Sequence, residues 1–309
     1  MKTKPKTRQK TKPKALVLFS GGLDSRLAVK ILEEQADVEC ATFLLPFGQG
    51  CCSTHCSLNF CQKESIKLKI FDCTSGRLLQ KYVEVIRKPR HGRGSCLNPC
   101  IDCRIFMLNL AREYADKNNI NIVATGEVLG ERPMSQHSRA LKIVEEDSGL
   151  KARLLRPLSA KLLEETEAEK KGIIDRSKLL DISGRCRKRQ LELANKYKIQ
   201  YPTPSGGCLL CEKEFCKRLK PLLNKQITEL DIELLKIGRH FENSCIVLGK
   251  NEKENLKLEE IHKKFGGILI SPEEPGPTAY VKDKNLIEEA KILIRKYSKK
   301  KIEGFEITS

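Results

Sequence analysis

The chain has 309 residues, 32% of them charged and 39% hydrophobic, with a formal net charge of +18. That length suits two domains and the apolar content suits a packed core. The cation excess points to a polyanionic partner, nucleic acid first, with a Lys-rich host composition as the plainer alternative. No run of 18 apolar residues occurs, which excludes a helical membrane span. Fourteen cysteines without a secretory signal argue for thiol, metal or redox chemistry in a reducing, cytoplasmic setting.

Residues 1–14 hold seven Lys or Arg and read as a disordered basic tail. Leu16-Val17-Leu18-Phe19 is a strand and residues 26–32 are helix-like, with Ser20-Gly21-Gly22-Leu23-Asp24-Ser25 between them. In such a strand–turn–helix, backbone N–H groups receive phosphate. Gly21 and Gly22 let a ligand approach closely. Ser20 and Ser25 add hydroxyls. Asp24 suits either a helix start or a Mg²⁺ ligand. A second strand ends at Phe43. That position lies near a bound base, because ligands sit beyond the carboxyl ends of parallel strands.

Cys51, Cys52, Cys56 and Cys61, with His55, lack a usual zinc spacing. Cys52 and Cys56 are one helical turn apart, so these thiols read as helix packing. Residues 66–70 alternate as a strand. A basic, Gly-rich loop then leads to Cys100-x-x-Cys103, which opens a helix running to about Lys117. Thiols at the first turn feel the helix's positive end, which favours thiolate. Cys96 is a nearby substitute. Residues 121–127 form a buried strand whose end, Thr125-Gly126-Glu127, faces the same crevice, with Gln136 and His137 in range.

Arg156, in a short strand at 154–158, is a candidate phosphate clamp. Helices are expected near 160–171 and 185–198. The second carries Arg185, Arg187, Lys188, Arg189, Lys196 and Lys198, a surface able to track phosphates. Gly206-Gly207-Cys208, followed by Cys211, lies about a hundred residues beyond Cys103, too far for a zinc ribbon. Three thiols, Cys100, Cys103 and Cys208, would hold a 4Fe–4S cluster with one open iron. Adding Cys211 would make a closed structural Zn²⁺ site. A metal-free site would place a persulfide on one cysteine and resolve it with another.

The stretch Ser20–Ser25 resembles the PP-loop, S-G-G-x-D-S, of the ATP pyrophosphatase superfamily. That likeness implies ATP cleaved between its α and β phosphates, an adenylated substrate and Mg²⁺. With Asn98-Pro99-Cys100-Ile101-Asp102-Cys103 and Gly206-Gly207-Cys208, residues 15–220 resemble the tRNA thiouridylases of this superfamily. The resemblance implies an α/β catalytic domain over 15–220, a parallel sheet flanked by helices. Ser20, Gly21, Gly22, Asp24, Ser25, Phe43, Thr125, Gly126 and Arg156 would serve the nucleotide. Asp24, Cys100, Cys103 and Cys208 would serve catalysis, and Cys100, Cys103 and Cys208 would hold a 4Fe–4S cluster.

The implied partners are tRNA and a sulfur donor, either sulfide or a sulfur-carrier protein. The implied product is a thiouridine, with 4-thiouridine at position 8 favoured over 2-thiouridine at position 34. The 2-thiouridylase branch usually has Asp where Cys100 stands, so the chain leans to the three-cysteine pattern. Residues 225–309 read as a small α+β domain and resemble the RNA-binding domain of the NFACT family. Gly238-Arg239-His240 and Gly249-Lys250-Asn251 carry that likeness. It makes Arg239, His240, Lys250 and Asn251 RNA-contact candidates. Two other functions stay open: another PP-loop ligase or amidotransferase with structural zinc, and a non-catalytic RNA-binding protein.

Overall fold

The computed structural model describes residues 12–49, 54–203 and 207–309. The chain forms two compact units. One takes residues up to Cys73 with Lys88–Gly94 and Pro99–Cys208; the other takes Thr74–Arg87, Ser95–Asn98 and Leu209–Ser309.

In chain order the elements begin β1 (Lys14–Leu18), α1 (Leu23–Glu33), β2 (Asp37–Leu44), β3 (Gly48–Gln49), α2 (Thr54–Lys63) and β4 (Lys67–Asp72). α3 (Gly76–Arg87) belongs to the second unit. The first unit resumes with α4 (Cys100–Lys117), β5 (Ile122–Thr125), α5 (Ser138–Asp147), β6 (Leu154–Leu155), α6 (Glu167–Lys170), α7 (Lys188–Lys196) and β7 (Gly207–Cys208). Its main sheet has the order β4-β2-β1-β5-β6, and every pair is parallel. A parallel sheet is covered on both faces at its centre, so β1 from Ala15 onward and β5 are buried throughout, while the edge strand β4 alternates Lys with apolar residues. Ala15 and Val17 pack with α1 on one face, and Leu16 and Leu18 pack with α4 on the other. This is the α/β fold expected from the sequence.

The expected tail and the cysteine-rich stretch lie partly outside the described residues, namely residues 1–11, Cys51 and Cys52. Lys14, placed in the tail by composition, instead opens β1. The helix expected over 160–171 is a 3₁₀ turn, Ala160–Leu162, followed by the short α6. The break has a local cause. Thr166 and Glu169 form a capping box that starts a new helix at 167.

The second unit adds α8 (Lys213–Leu219), α9 (Glu229–Leu235), β8 (Arg239–Phe241), β9 (Ile246–Leu248), α10 (Glu252–Phe265), β10 (Ile268–Pro272), β11 (Ala279–Val281), α11 (Ile287–Tyr297) and β12 (Phe305–Thr308). Its antiparallel sheet has the order β12-β10-β11-β9-β8. One apolar cluster joins Ile246, Leu248 and Ile270 to α11. A second joins Val247, Leu269 and Tyr280 to α9 and α10. Among the described residues no helix is long and apolar enough to cross a membrane.

Candidate active site

The turn after β1 is shaped for an anion. Gly21 has φ +77°, which a side chain would strain. Gly22 is the N-cap of α1 in extended backbone and makes no side-chain cap. The first N–H groups of α1 are therefore not capped from within, and the helix's positive end opens onto the loop. Ser25 Oγ donates to Gly22 O at 2.8 Å, which tightens the turn. Arg26 braces it from behind, with Nε donating to Gly21 O at 2.7 Å and Nη1 to Gln200 O at 2.6 Å.

Asp24 sits beside a second carboxylate. Arg187 Nη2 is 3.5 Å from Asp24 Oδ2, and its Nε is 3.8 Å from Glu131 Oε1. Burial raises the Asp24 pKa against the pull of Arg187 and Arg132. Burial also raises the Glu131 pKa, and the negative charge of Asp24 adds to the effect. Asp24 Oδ1 is buried without a hydrogen-bond partner. Two partly buried carboxylates with an orphan oxygen, next to a phosphate-ready helix end, fit Mg²⁺ arriving with a nucleotide. Mg²⁺ takes one or two protein carboxylates and fills the rest with phosphate and water.

β5 supports this loop from one side. A Cβ on Gly126 would lie 2.6 Å from Asp24 C, Asp24 O and Ser25 N. Only glycine allows this approach, so Gly126 is a packing point for α1's first turn. Thr125 and Glu127 are each 2% exposed. Thr125 Oγ1 donates to Glu127 Oε2 at 3.1 Å, Arg156 Nε donates to the same oxygen at 3.1 Å, and Arg104 Nε lies 3.3 Å from Oε1. Burial alone would raise the Glu127 pKa. Arg104 and Arg156 outweigh it and hold the carboxyl below its usual range.

Arg156 is 1% exposed and also engages Glu145 and Leu141 O. Its guanidinium is consumed within the unit, which corrects the expectation of a phosphate clamp. Phe43 is half-buried and stacks on Phe71 at 4.8 Å between centroids. Gln136 Oε1 accepts from Arg132 N at 3.1 Å, and His137 Nδ1 caps α5 through Ala140 N at 3.2 Å.

A family model described as Thiamine biosynthesis protein (ThiI) matches residues 10–181, more than half of the chain. The chain belongs to the ThiI family. This is a family of PP-loop tRNA sulfurtransferases. The ThiI match spans β1 to β6 and ends before Arg187, Cys208 and the second unit's sheet. No curated protein matches the chain. A solved structure from Methanocaldococcus jannaschii, titled as a predicted subunit of tRNA methyltransferase, is similar at 15% identity and a TM-score of 0.32. The alignment covers 63% of this chain and 95% of that one.

The thiols of this ThiI member are placed by three different devices. Cys100 opens α4 and Cys103 follows one turn on. Asp102 between them is 7% exposed and accepts from Arg90 N at 2.9 Å and His91 N at 3.0 Å, which ties the basic loop to the helix start. Cys208 lies on β7, paired with Gly48, and its thiol lies 3.5 Å from Phe47 O. Cys73 stands near Cys103; burial, with Asp72 and Cys103, pushes it up to about 12. Cys61 packs in the core with Cys40.

Three thiols are chemically right for a soft metal. Yet among the described residues no three His, Cys, Asp or Glu side chains are arranged to hold a metal ion. Gly206, the residue before Gly207-Cys208, lies outside the described residues. Cys211, in the second unit, is exposed and accepts from Asn98 Nδ2 at 2.9 Å.

In the second unit Arg239 and Lys250 border one cavity. Asn251 caps α10, accepting from Glu254 N at 3.0 Å. His240 is largely enclosed: Nδ1 meets Ser244 Oγ at 3.0 Å and Nε2 meets Ile237 O at 2.9 Å. Burial lowers its pKa to about 4. A neutral, internally bonded ring is a structural post, and this departs from the RNA contact that the resemblance implies for His240. Sequence reasoning missed Glu131 altogether and placed Arg187 on an RNA-tracking surface. The signal for Arg187 was present: positions 187, 190 and 194 recur at helical spacing, and Gln190 and Ala194 are buried.

Proposed function

We propose that the chain adenylates a uridine of tRNA with ATP and replaces its carbonyl oxygen with sulfur, with 4-thiouridine at position 8 favoured over 2-thiouridine at position 34. The observation that carries this reading is the pairing of Asp24 with Glu131 at the uncapped start of α1, inside the segment that matches the ThiI family. The N–H groups around Gly22 receive the ATP phosphates. Asp24 and Glu131 would hold Mg²⁺, which when bound would supply neutralisation of phosphate charge. Arg187, relieved of Asp24, stabilises charge on the departing pyrophosphate.

The uridine oxygen attacks the α phosphorus, the bond to the bridging oxygen breaks, and pyrophosphate leaves. Sulfide, supplied free or first released from a sulfur-carrier protein, then attacks the activated ring carbon. The carbon–oxygen bond breaks, and AMP leaves with the former carbonyl oxygen. Cys100, Cys103 and Cys208 serve the sulfur side as thiols, and no step is routed through a metal cluster. We infer that the second unit grips tRNA, with Arg239, Lys250 and Asn251 as contacts; its likeness to the NFACT RNA-binding domain and its unpaired cations support this.

The test is mass spectrometry of nucleosides after the full chain has met tRNA, ATP, Mg²⁺ and sulfide. Thiouridine should form, Asp24→Ala should abolish it, and tRNA binding should survive that change. ATP consumption without thiouridine would point to another PP-loop ligase or amidotransferase. Cys103→Ser and Cys208→Ser should each lower thiolation on the order of 10²-fold. Iron, zinc and acid-labile sulfide, measured on protein purified without oxygen, separate a cluster, structural zinc and thiol-only chemistry.

A further inference from the structure

The second unit holds a cavity of about 540 Å³ that the catalytic reading does not use. Lys217, Arg218, Arg239, Phe241, Lys250 and Tyr297 line it, together with Glu214 and Glu242. Lys217 is paired with Glu214 at 2.7 Å. Among the described residues no carboxylate lies within ion-pair distance of Arg218, Arg239 or Lys250. Arg218 instead donates to the carbonyls of Leu235 at 3.0 Å and Glu214 at 3.3 Å. The wall is therefore cationic, and neutral His240 adds no charge.

One end of the cavity is a stack. The Arg239 guanidinium lies 5.1 Å from the Tyr297 ring centroid, and Phe241 lies 5.6 Å from the same ring at a 50° tilt. Tyr297, the last residue of α11, is 39% exposed, so the stack is not closed over. The rim is a strained turn. Glu242, Asn243 and Ser244 have φ of 45°, 52° and 67°, three successive side-chain-bearing residues in the left-handed region. Ser244 pins the turn: it is 4% exposed and its hydroxyl donates to Arg218 O at 3.2 Å. Strain held in place this way gathers at ligand-binding positions.

Resting on the reading of this unit as a tRNA grip, we propose that the cavity takes one unstacked nucleotide of single-stranded RNA. The base extends the Arg239–Tyr297 stack, and the adjoining phosphate meets Lys250 and Arg218. The volume falls within the roughly 300–1,000 Å³ of small-ligand sites and admits a nucleotide but not a duplex. Aromatic and guanidinium planes beside uncompensated cations are how proteins hold splayed RNA bases.

The test is anisotropy of the full chain with a labelled single-stranded RNA nonamer and with a duplex of the same sequence. A second nonamer carries 2-aminopurine, whose fluorescence reports stacking. The wild type should prefer the single strand, and Tyr297→Ala should weaken it about tenfold and remove the 2-aminopurine change. Tyr297→Phe should restore both, which separates stacking from folding. If the wild type binds RNA but Tyr297→Ala and Arg239→Ala bind it equally well, the nucleotide pocket is overturned and the RNA grip stands. If a polyglutamate peptide displaces the RNA and removes the 2-aminopurine signal at equal charge concentration, the cavity is only a polyanion surface. If the wild type binds neither RNA, the grip itself fails and takes the pocket with it.

Discussion

Asp24 is held in a form that is costly to the fold, and the proposed hold on Mg²⁺ gives that cost a use. Its pKa is raised by burial, so its charge at neutral pH is a load on the native state. For a carboxylate raised on folding, the stabilising contribution is present at low pH and is lost as pH rises through the folded pKa. Asp24→Asn should therefore raise Tm while abolishing Mg²⁺-dependent ATP binding; a lower Tm would contradict the buried-charge account. Arg187 pulls that pKa down. Arg187→Ala should therefore move the pH at which Mg²⁺–ATP binding fails upward, read by calorimetry across a pH series. A downward move would sink the assignment of Arg187 as the counter-ion. Asp24 was legible from the sequence because Ser20–Ser25 is contiguous. Glu131 was not, because its proximity is made by the fold and nothing local marks it.

At the scale of elements, β5 and α1 meet through one absent methyl group. Gly126→Ala places a Cβ against Asp24 and Ser25 backbone atoms that have no side-chain freedom with which to yield. It should cost about 1–3 kcal/mol in stability, read by denaturant unfolding, and should weaken ATP binding. Unchanged values for both would show that the loop does not depend on β5. The strand itself was readable from its apolar run, but this use of its glycine was not, since a strand-ending turn and a close approach leave the same letter. Arg156 makes the same point: its buried partner Glu127 is distant in sequence, so an arginine strut looked like a phosphate clamp.

In the second unit, His240, the middle residue of β8, has its pKa lowered to about 4 by burial. A histidine depressed on folding contributes stability that is present above its unfolded pKa and is lost as pH falls towards 4. One of the five imidazoles should titrate near 4 by NMR, and His240→Asn should remove that signal. Five ordinary titrations would contradict the buried post.

Over the whole chain, the net charge of +18 fits a tRNA-handling protein. Its tRNA affinity should fall steeply and log-linearly with salt as counterions cease to be released. A flat response would separate the charge from the function. The parallel sheet and its flanking helices were legible because the central strands read as apolar runs and the edge strand β4 alternates. The thiol chemistry was less so. Spacing gave Cys100-x-x-Cys103 as a pair, and only the resemblance added Cys208, because three side chains gather only if backbone far apart in sequence converges.

The most direct test uses tRNA transcribed with oxygen-18 at the uridine carbonyl. The full chain, with ATP, Mg²⁺ and sulfide, should return AMP carrying that oxygen and RNA carrying sulfur in its place. Thiolated RNA with unlabelled AMP would contradict adenylation of the uridine, and with it the role assigned to the loop around Asp24.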